Sequence, residues 1–283
     1  MLPNLAFNPV KIQPIAGLHS QLQTVNILKD GVRFAETKAE LRASYQLRHK
    51  IYVEGMNRFS DKSNHELKEL QDEHDKNARA IVAIKKNKPI GTLRIFWGGD
   101  THFTQEHEKT YHTSKFTSLL QAKKICIVER LMVENNARGS LTILRMYQEV
   151  INFVLKNRVE VVLLNCEQHH MNSYLKLGFR PFAKQTHYPG IGPVTPMALV
   201  VGDYKYLQSI GSSFSQLINE ENLNHCHHVE SLKKIINHDT KSDSKSSYDK
   251  NTIVSNFCAA RQKLLAKRTK IADSKLRMKL SVC

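Results

Sequence analysis

Residues 124–133 read KICIVERLMV, 134–140 read ENNARGS, 159–166 read VEVVLLNC and 171–182 read MNSYLKLGFRPF. The first run is apolar over the length of a strand and predicts a central strand. ENNARGS predicts a turn with a glycine. After it, Leu144, Tyr147, Val150, Ile151, Val154 and Leu155 recur at helical spacing, which predicts an amphipathic helix. VEVVLLNC is nearly continuous in apolar residues, as expected of a strand covered on both faces. Residues 171–177 predict a short helix carrying Tyr174 and stopped by Gly178, with a short closing strand behind it. Two charges, Glu129 and Arg130, stand inside the first strand. Charge there is costly unless it is paired or put to use.

Outward from this module, residues 32–36 (VRFAE) alternate like an edge strand. Thr37 with Glu40 forms a capping-box pattern, opening a helix to about residue 54 with Leu41, Tyr45, Arg48 and Tyr52 in a mixed stripe. Residues 56–71 are polar and loop-like. Residues 78–85 and 90–97 predict an antiparallel hairpin across the KKNKP turn. Residues 98–113, rich in His, Thr and Glu, predict an exposed loop, and 114–121 a short helix. HYPGIGPVTP at 187–196 predicts a Gly/Pro loop, followed by a last strand at 196–201. Residues 204–238 read as helical pieces, KSDSKSSYDK at 241–250 as a polar linker, and 253–280 as a basic helix. There is no internal repeat.

The chain has 283 residues and is 41% hydrophobic, enough for a core. No run approaches a membrane-spanning length of about 18 apolar residues. The first residues lack a charged region before an apolar block, so the sequence predicts no secretory signal and a cytoplasmic location. The five cysteines are odd in number and have no CxxC pair, which fits free thiols in a reducing compartment. Cys166 with His169 and His170, and His225 to His228 around Cys226, lack the spacing of a closed zinc site. No metal site is expected.

Net charge is +16, and residues 261–283 carry eight Lys/Arg against one Asp. Such a surface calls for an acidic partner: nucleic acid, an anionic membrane or an acidic carrier protein. The tail reads either as a solvated basic extension or as an amphipathic segment on an anionic surface, giving a membrane-peripheral protein. It has no aromatic anchor. No helix-turn-helix, finger or RNP-like motif accompanies the charge, so nucleic acid is the less favoured partner.

The strand, Arg138-Gly139-Ser140 turn, helix, strand and the Tyr-Leu-Lys-Leu-Gly-Phe ending at 174–179 resemble the GNAT superfamily of N-acyltransferases. Upstream, Leu47-Arg48 with Tyr52, the Asp72/Asp75 DxxD pair and Gly91-Thr92-Leu93-Arg94 are similar to acyl-homoserine-lactone synthases, and closer still to long-chain N-acyl amino acid synthases. The resemblance covers roughly residues 32–212. There are departures. Lactone synthases carry a tryptophan soon after the helix arginine, where this chain has Met56-Asn57-Arg58-Phe59, and they separate the strand glutamate and arginine, which are adjacent here. Both weigh against S-adenosylmethionine as acceptor. Acetyl-CoA-using relatives have a longer glycine-rich loop, and the short turn here fits a donor without the adenosine diphosphate part.

The resemblance implies an α/β three-layer fold with a splayed, mostly antiparallel mixed sheet and helices on both faces. It implies attack of an amine on an acyl thioester, with the donor entering the splay beside Val133. Such a reaction needs a base for the amine, backbone N–H donors for the oxyanion and an acid for the leaving thiolate. Glu129 is the candidate base: alternation places it with Ile127 and Leu131, an apolar setting expected to raise its pKa. A structural ion pair with Arg48, Arg94 or Arg130 is the alternative. The resemblance makes Tyr174 the thiol-facing acid; by itself a helix tyrosine also reads as core packing. Arg138, Gly139 and Ser140 before a helix would bind a phosphopantetheine arm, or form an ordinary capped turn. Arg48, Tyr52, Asp72, Asp75, Arg94 and Arg130 would form the acceptor pocket, the charged ones alternatively a salt-bridge cluster.

The expected organisation is an arm at 1–31, a GNAT-like domain at 32–212, a helical extension at 213–239 and a basic linker and tail at 240–283. The expected function is transfer of a long-chain acyl group from acyl carrier protein, or acyl-CoA, to an amino acid or similar small amine. No tightly bound cofactor is needed; acyl-phosphopantetheine is the co-substrate. The rivals are an acyl-homoserine-lactone synthase and an inactive scaffold binding nucleic acid or anionic membrane through the tail.

Overall fold

Alternation at the start of the described chain and the capping signal behind it produce the first two elements. The computed structural model describes residues 28–137 and 141–238. The arm up to residue 27, the Arg138-Gly139-Ser140 turn and the tail from 239 onward lie outside the described residues. β1 (Gly31–Phe34) lies at the sheet edge, and Thr37 caps α1 (Lys38–Arg48). The Thr37 hydroxyl accepts the Glu40 N–H at 3.2 Å, and the Glu40 carboxylate accepts the Thr37 N–H at 3.3 Å. This box satisfies donors that a helix start leaves unpaired. Thr37→Ala is expected to lower stability by about 1 kcal/mol in denaturant unfolding, with Thr37→Ser nearly neutral. α1 continues into a π-helical segment, His49–Glu54, so the helix reaches the expected residue 54 with a widened last part.

β2 (Arg79–Lys85) and β3 (Lys88–Trp97) make the predicted hairpin. Its turn residues Lys86 and Asn87 have φ of 52° and 58°, the twist that tight hairpins require. The segment 98–113, expected as an exposed loop, instead contains α2 (Gln105–Tyr111), with His107, Thr110 and Tyr111 buried. His107 and Tyr111 lie one turn apart and point inward; polar composition concealed a helix whose inner face is itself polar or aromatic. After the short α3 (Ser114–Thr117) come β4 (Ile125–Val133), α4 (Thr142–Lys156), β5 (Val161–Cys166) and α5 (Met171–Leu177). Then follow β6 (Arg180–Pro181), β7 (Thr186–Tyr188), β8 (Gly192–Val200), α6 (Tyr204–Ser209) and α7 (Val229–His238). The Gly/Pro stretch at 187–196 is largely paired strand: Thr186 faces Val194 and Tyr188 faces Gly192. Gly190 at φ 78° and Gly192 at φ 107° make the tight reversal.

The sheet order is β1-β2-β3-β4-β5-β8-β6, with β7 on β8, and among the described strands only β4–β5 is parallel. One face packs against α4 through Met146, Tyr147, Val150 and Val154, joined by Phe179, Phe214 and Ile218. The other face packs Phe116, Ile125, Ile127, Leu163 and Phe182 with Leu232 and Ile236 of α7. Residues 213–238 thus contribute to both halves of the core. Helices cover both faces, giving three layers. No helix among the described residues is long and apolar enough to cross a membrane.

β4 and β5 pair only from Ile125–Val161 to Ile127–Leu163. Beyond that they part, and β4 runs on to Val133 without a partner among the described strands on its β5 side. That edge turns backbone N–H and C=O groups toward the gap.

Candidate active site

A β-bulge sets the geometry of the charged strand. Arg94 of β3 pairs with Glu129 and Thr92 with Met132, so β4 carries one extra residue between these two pairs. Arg130 takes it up with a left-handed φ of 53°. Strict alternation would have sent the adjacent Glu129 and Arg130 to opposite faces. The bulge directs both into one network.

In that network Arg48 Nη1 donates to both Asp75 oxygens at 2.7 and 2.8 Å. Arg94 donates from Nε to Glu129 Oε2 at 2.8 Å and from Nη2 to the same oxygen. Its Nη1 reaches Asp72 and lies 3.2 Å from Asp75 Oδ1. Arg130 Nη2 donates to Asp72 Oδ2 at 3.0 Å. Asp72 and Asp75 are held by their own capping box at a short 3-10 helix, Glu73–Asn77. Three arginines therefore meet three carboxylates, with Arg48 and Arg94 each only 1% exposed. Charge balance and the ion-pair hydrogen bonds are what make such burial tolerable.

The expectation that an apolar setting lifts the Glu129 carboxyl toward neutrality is corrected by this arrangement. Burial pushes it up, but the Arg94 guanidinium, with His107 and Arg130, outweighs burial and holds it down at about 2. His107 Nδ1 accepts the Thr104 N–H at 3.2 Å. The neutral ring must then carry its proton on Nε2, which faces Glu129 Oε1 at 3.7 Å. Burial lowers His107 to about 4, so it is neutral at neutral pH. The buried Tyr111 phenol lines the same cavity as Glu129, and burial pushes it well up.

A cavity of about 540 Å³ opens where β4 and β5 part. Val128, Leu131, Val133, Ile143, Ile191 and Val194 line it, together with Glu129, Arg130, Tyr52, Tyr111, Tyr147, Tyr174 and Tyr188. Arg130 sits among the rings of Phe59, Tyr52 and Tyr188, its guanidinium carbon 4.6, 5.6 and 5.9 Å from their centroids. Its Nη1 is buried without a hydrogen-bond partner. Arg58 and Glu167, paired at 2.9 Å, flank the same cavity.

Of the residues singled out in the sequence, Glu129, Arg130, Tyr52, Val133 and Tyr174 line the cavity. Arg48, Asp72, Asp75 and Arg94 stand behind its wall and reach it through Glu129 and Arg130. Arg138, Gly139 and Ser140 lie outside the described residues. His107, Tyr111 and Tyr188 were missed. The first two sit in the stretch read as a loop, and Thr104-x-x-His107 carries a histidine where a capping box usually has Glu or Gln. Tyr188 sits in the Gly/Pro stretch. Among the described residues, the group whose candidate metal-ligand atoms come within 4.8 Å of one another is Glu73, His74 and Glu106, not the Cys/His runs. His74 Nε2 there pairs with Glu106 at 2.8 Å.

Comparison with known proteins bears on the fold. The solved structure of FeeM, an N-acyl amino acid synthase from uncultured soil microbes, superposes with a TM-score of 0.51 at 14% identity, covering 68% of this chain and 99% of that one. BjaI, a CoA-dependent acyl-homoserine lactone synthase with SAM and isopentyl-CoA, gives 0.49 at 16% identity over 67% of this chain and 81% of its own. An N-acetyltransferase-like protein from Lactobacillus plantarum gives 0.44 at 17% identity over 60% and 97%. No curated protein matches the chain in sequence. The family described as N-acyl amino acid synthase FeeM matches residues 43–200, more than half of the chain and all of the strands that frame the cavity. The chain therefore belongs to the FeeM family of N-acyl amino acid synthases and is an N-acyltransferase with a GNAT-like fold.

Proposed function

We propose that the protein transfers a long-chain acyl group from a phosphopantetheine thioester to the amine of an amino acid. The observation that carries this reading is the apolar gap between β4 and β5, whose wall presents an ionised carboxylate, Glu129, beside the unpartnered Nη1 of Arg130. A buried guanidinium N–H without an acceptor is costly, and an acceptor carboxylate would satisfy it. The adjacent Glu129 carboxylate suits an ammonium. An α-amino acid brings both groups on one carbon. The acyl chain and pantetheine arm occupy the apolar part of the gap, with the thioester carbonyl against the unpartnered edge of β4.

At a pKa of about 2 Glu129 is too weak to deprotonate a free ammonium near neutral pH. It holds the ammonium by charge until that group loses a proton to solvent and the neutral amine attacks. It takes a proton only after attack, when the nitrogen has become far more acidic. Arg94, Asp72, Asp75 and Arg48 hold Glu129 and Arg130 in place. Tyr174 supplies a proton to the leaving thiolate, and Arg138, Gly139 and Ser140 dock the pantetheine phosphate. Acyl carrier protein is the donor that suits a net charge of +16, because carrier proteins are acidic as a class.

The test is thiol release from acyl carrier protein and from acyl-CoA in the presence of single amino acids, with products read by mass spectrometry. Transfer to amino acids supports the reading; a lactone product, or no thiol release with any donor, overturns it. Arg130→Gln is expected to raise KM for the amino acid about tenfold to hundredfold, the worth of a hydrogen bond between charged groups. The same variant should leave KM unchanged for the matching amine without a carboxylate. An equal rise for both acceptors would remove Arg130 from carboxylate binding.

A further inference from the structure

Tyr147 stands on α4 in the cavity wall, 1% exposed. Its hydroxyl makes no hydrogen bond of ordinary geometry. The Tyr174 phenol lines the same cavity wall. The Cys166 thiol is directed at the Glu167 carbonyl at 3.1 Å. The Tyr147 ring meets the Tyr174 ring edge-on, with centroids 6.5 Å apart and planes at 84°, and both rings pack on Phe179. A buried hydroxyl without a good partner weakens folding. Phenylalanine would fill the same space on this helix face without that cost.

Tyr174 has a complementary need. Burial pushes its phenol up to about 12. A free alkyl thiol ionises at about 8.5, so proton transfer from Tyr174 to a pantetheine thiolate runs uphill. A donor aimed at the resulting phenolate lowers that step.

We propose that Tyr147 is a positioning residue for Tyr174, turning its unpartnered O–H to the Tyr174 oxygen as the thiolate leaves and stabilising the phenolate that forms. This rests on the acyl-transfer reading above. In the step, the amine nitrogen bonds to the thioester carbonyl carbon and the C–S bond breaks. Sulfur takes the proton of Tyr174, the proton shed by the nitrogen passes to Glu129, and the Tyr174 oxygen regains a proton from solvent. No oxidant or further reactant is needed.

The test compares Tyr147→Phe, Tyr174→Phe and the double variant in the full-length protein on two donors with the same acyl chain. One is a pantetheine thioester and the other an aryl thioester, whose thiolate leaves without protonation. Expected for Tyr147→Phe is a fall in kcat of about tenfold to hundredfold on the pantetheine thioester, the worth of a hydrogen bond to an ionised group. Donor KM should be unchanged, and the melting temperature equal or higher. The fall should disappear on the aryl thioester, and the double variant should match Tyr174→Phe, as expected of groups acting as one unit. Equal losses on both donors, a lowered melting temperature, additive losses in the double variant, or no loss at all would each overturn the proposal. Absence of thiol release by the unmodified protein on either donor would instead overturn the acyl-transfer reading.

Discussion

Replacing Arg94 with leucine is expected to cost about 3–5 kcal/mol, the usual penalty for stranding a buried charge. Arg94 binds Glu129 through Nε and Nη2, and Asp72 and Asp75 through Nη1. Its loss leaves three carboxylates facing two arginines, with Glu129 only 4% exposed at its side chain. Domains are typically stable by about 5–15 kcal/mol, so the variant should unfold at far lower urea than the parent. Adding Glu129→Gln should recover part of the loss, because the stranded charge then disappears. A midpoint within experimental error of the parent would show that the cluster carries no stability.

The same contacts fix an acid response. Glu129 is held below its ordinary value of 4.5, at about 2, and Asp72 is also lowered, burial being outweighed by Arg94 and Arg130. A depressed carboxylate contributes stability above its unfolded pKa, and that stability is lost as pH falls through the folded pKa. For Glu129 the window runs from about pH 4.5 to 2 and is worth on the order of 3 kcal/mol. Urea midpoints of the parent should fall steeply across it, and those of Arg94→Leu should fall less.

Glu129→Gln is expected to reduce turnover about 10²–10⁴-fold while the fold persists by circular dichroism. Glutamine keeps the size and one acceptor but loses the charge that holds the amine. The pH profile separates anchoring from neutral-range base catalysis. A base titrating near neutrality would give kcat/KM an acid limb at that pKa. With Glu129 at about 2, the acid limb should follow the amine of the acceptor, moving down when a less basic amine is supplied. It should keep its position in Glu129→Gln with only the plateau lowered. An acid limb that vanishes in Glu129→Gln would restore Glu129 as a neutral-range base.

Much of the fold was legible because its signals are local. Thr37 and Glu40 announced the start of α1, the apolar run at 161–166 announced a covered strand, and Gly178 ended α5 with the left-handed φ of 107° that only glycine adopts freely. Segment 98–113 failed because its buried residues, His107, Thr110 and Tyr111, look polar. His107 and Tyr111 face the charged cluster, and nothing in the segment itself says so. Segment 187–196 failed because glycine and proline mark both loops and tight hairpins.

The sequence by itself determined most of the order of elements, the two-face packing around β4 and β5, and the presence of two charges in an apolar strand that had to be paired or used. Hydrophobic periodicity and capping are short-range, so a linear reading can find them. Which charges meet was decided only in three dimensions. The bulge at Arg130 turns neighbouring side chains into one network, and Arg94, Asp72 and Asp75 arrive from elements far apart in the chain. The pKa of Glu129 followed from that meeting. Burial alone would have raised it, and the field of a guanidinium in hydrogen-bond contact, which only the tertiary fold supplies, reverses the sign.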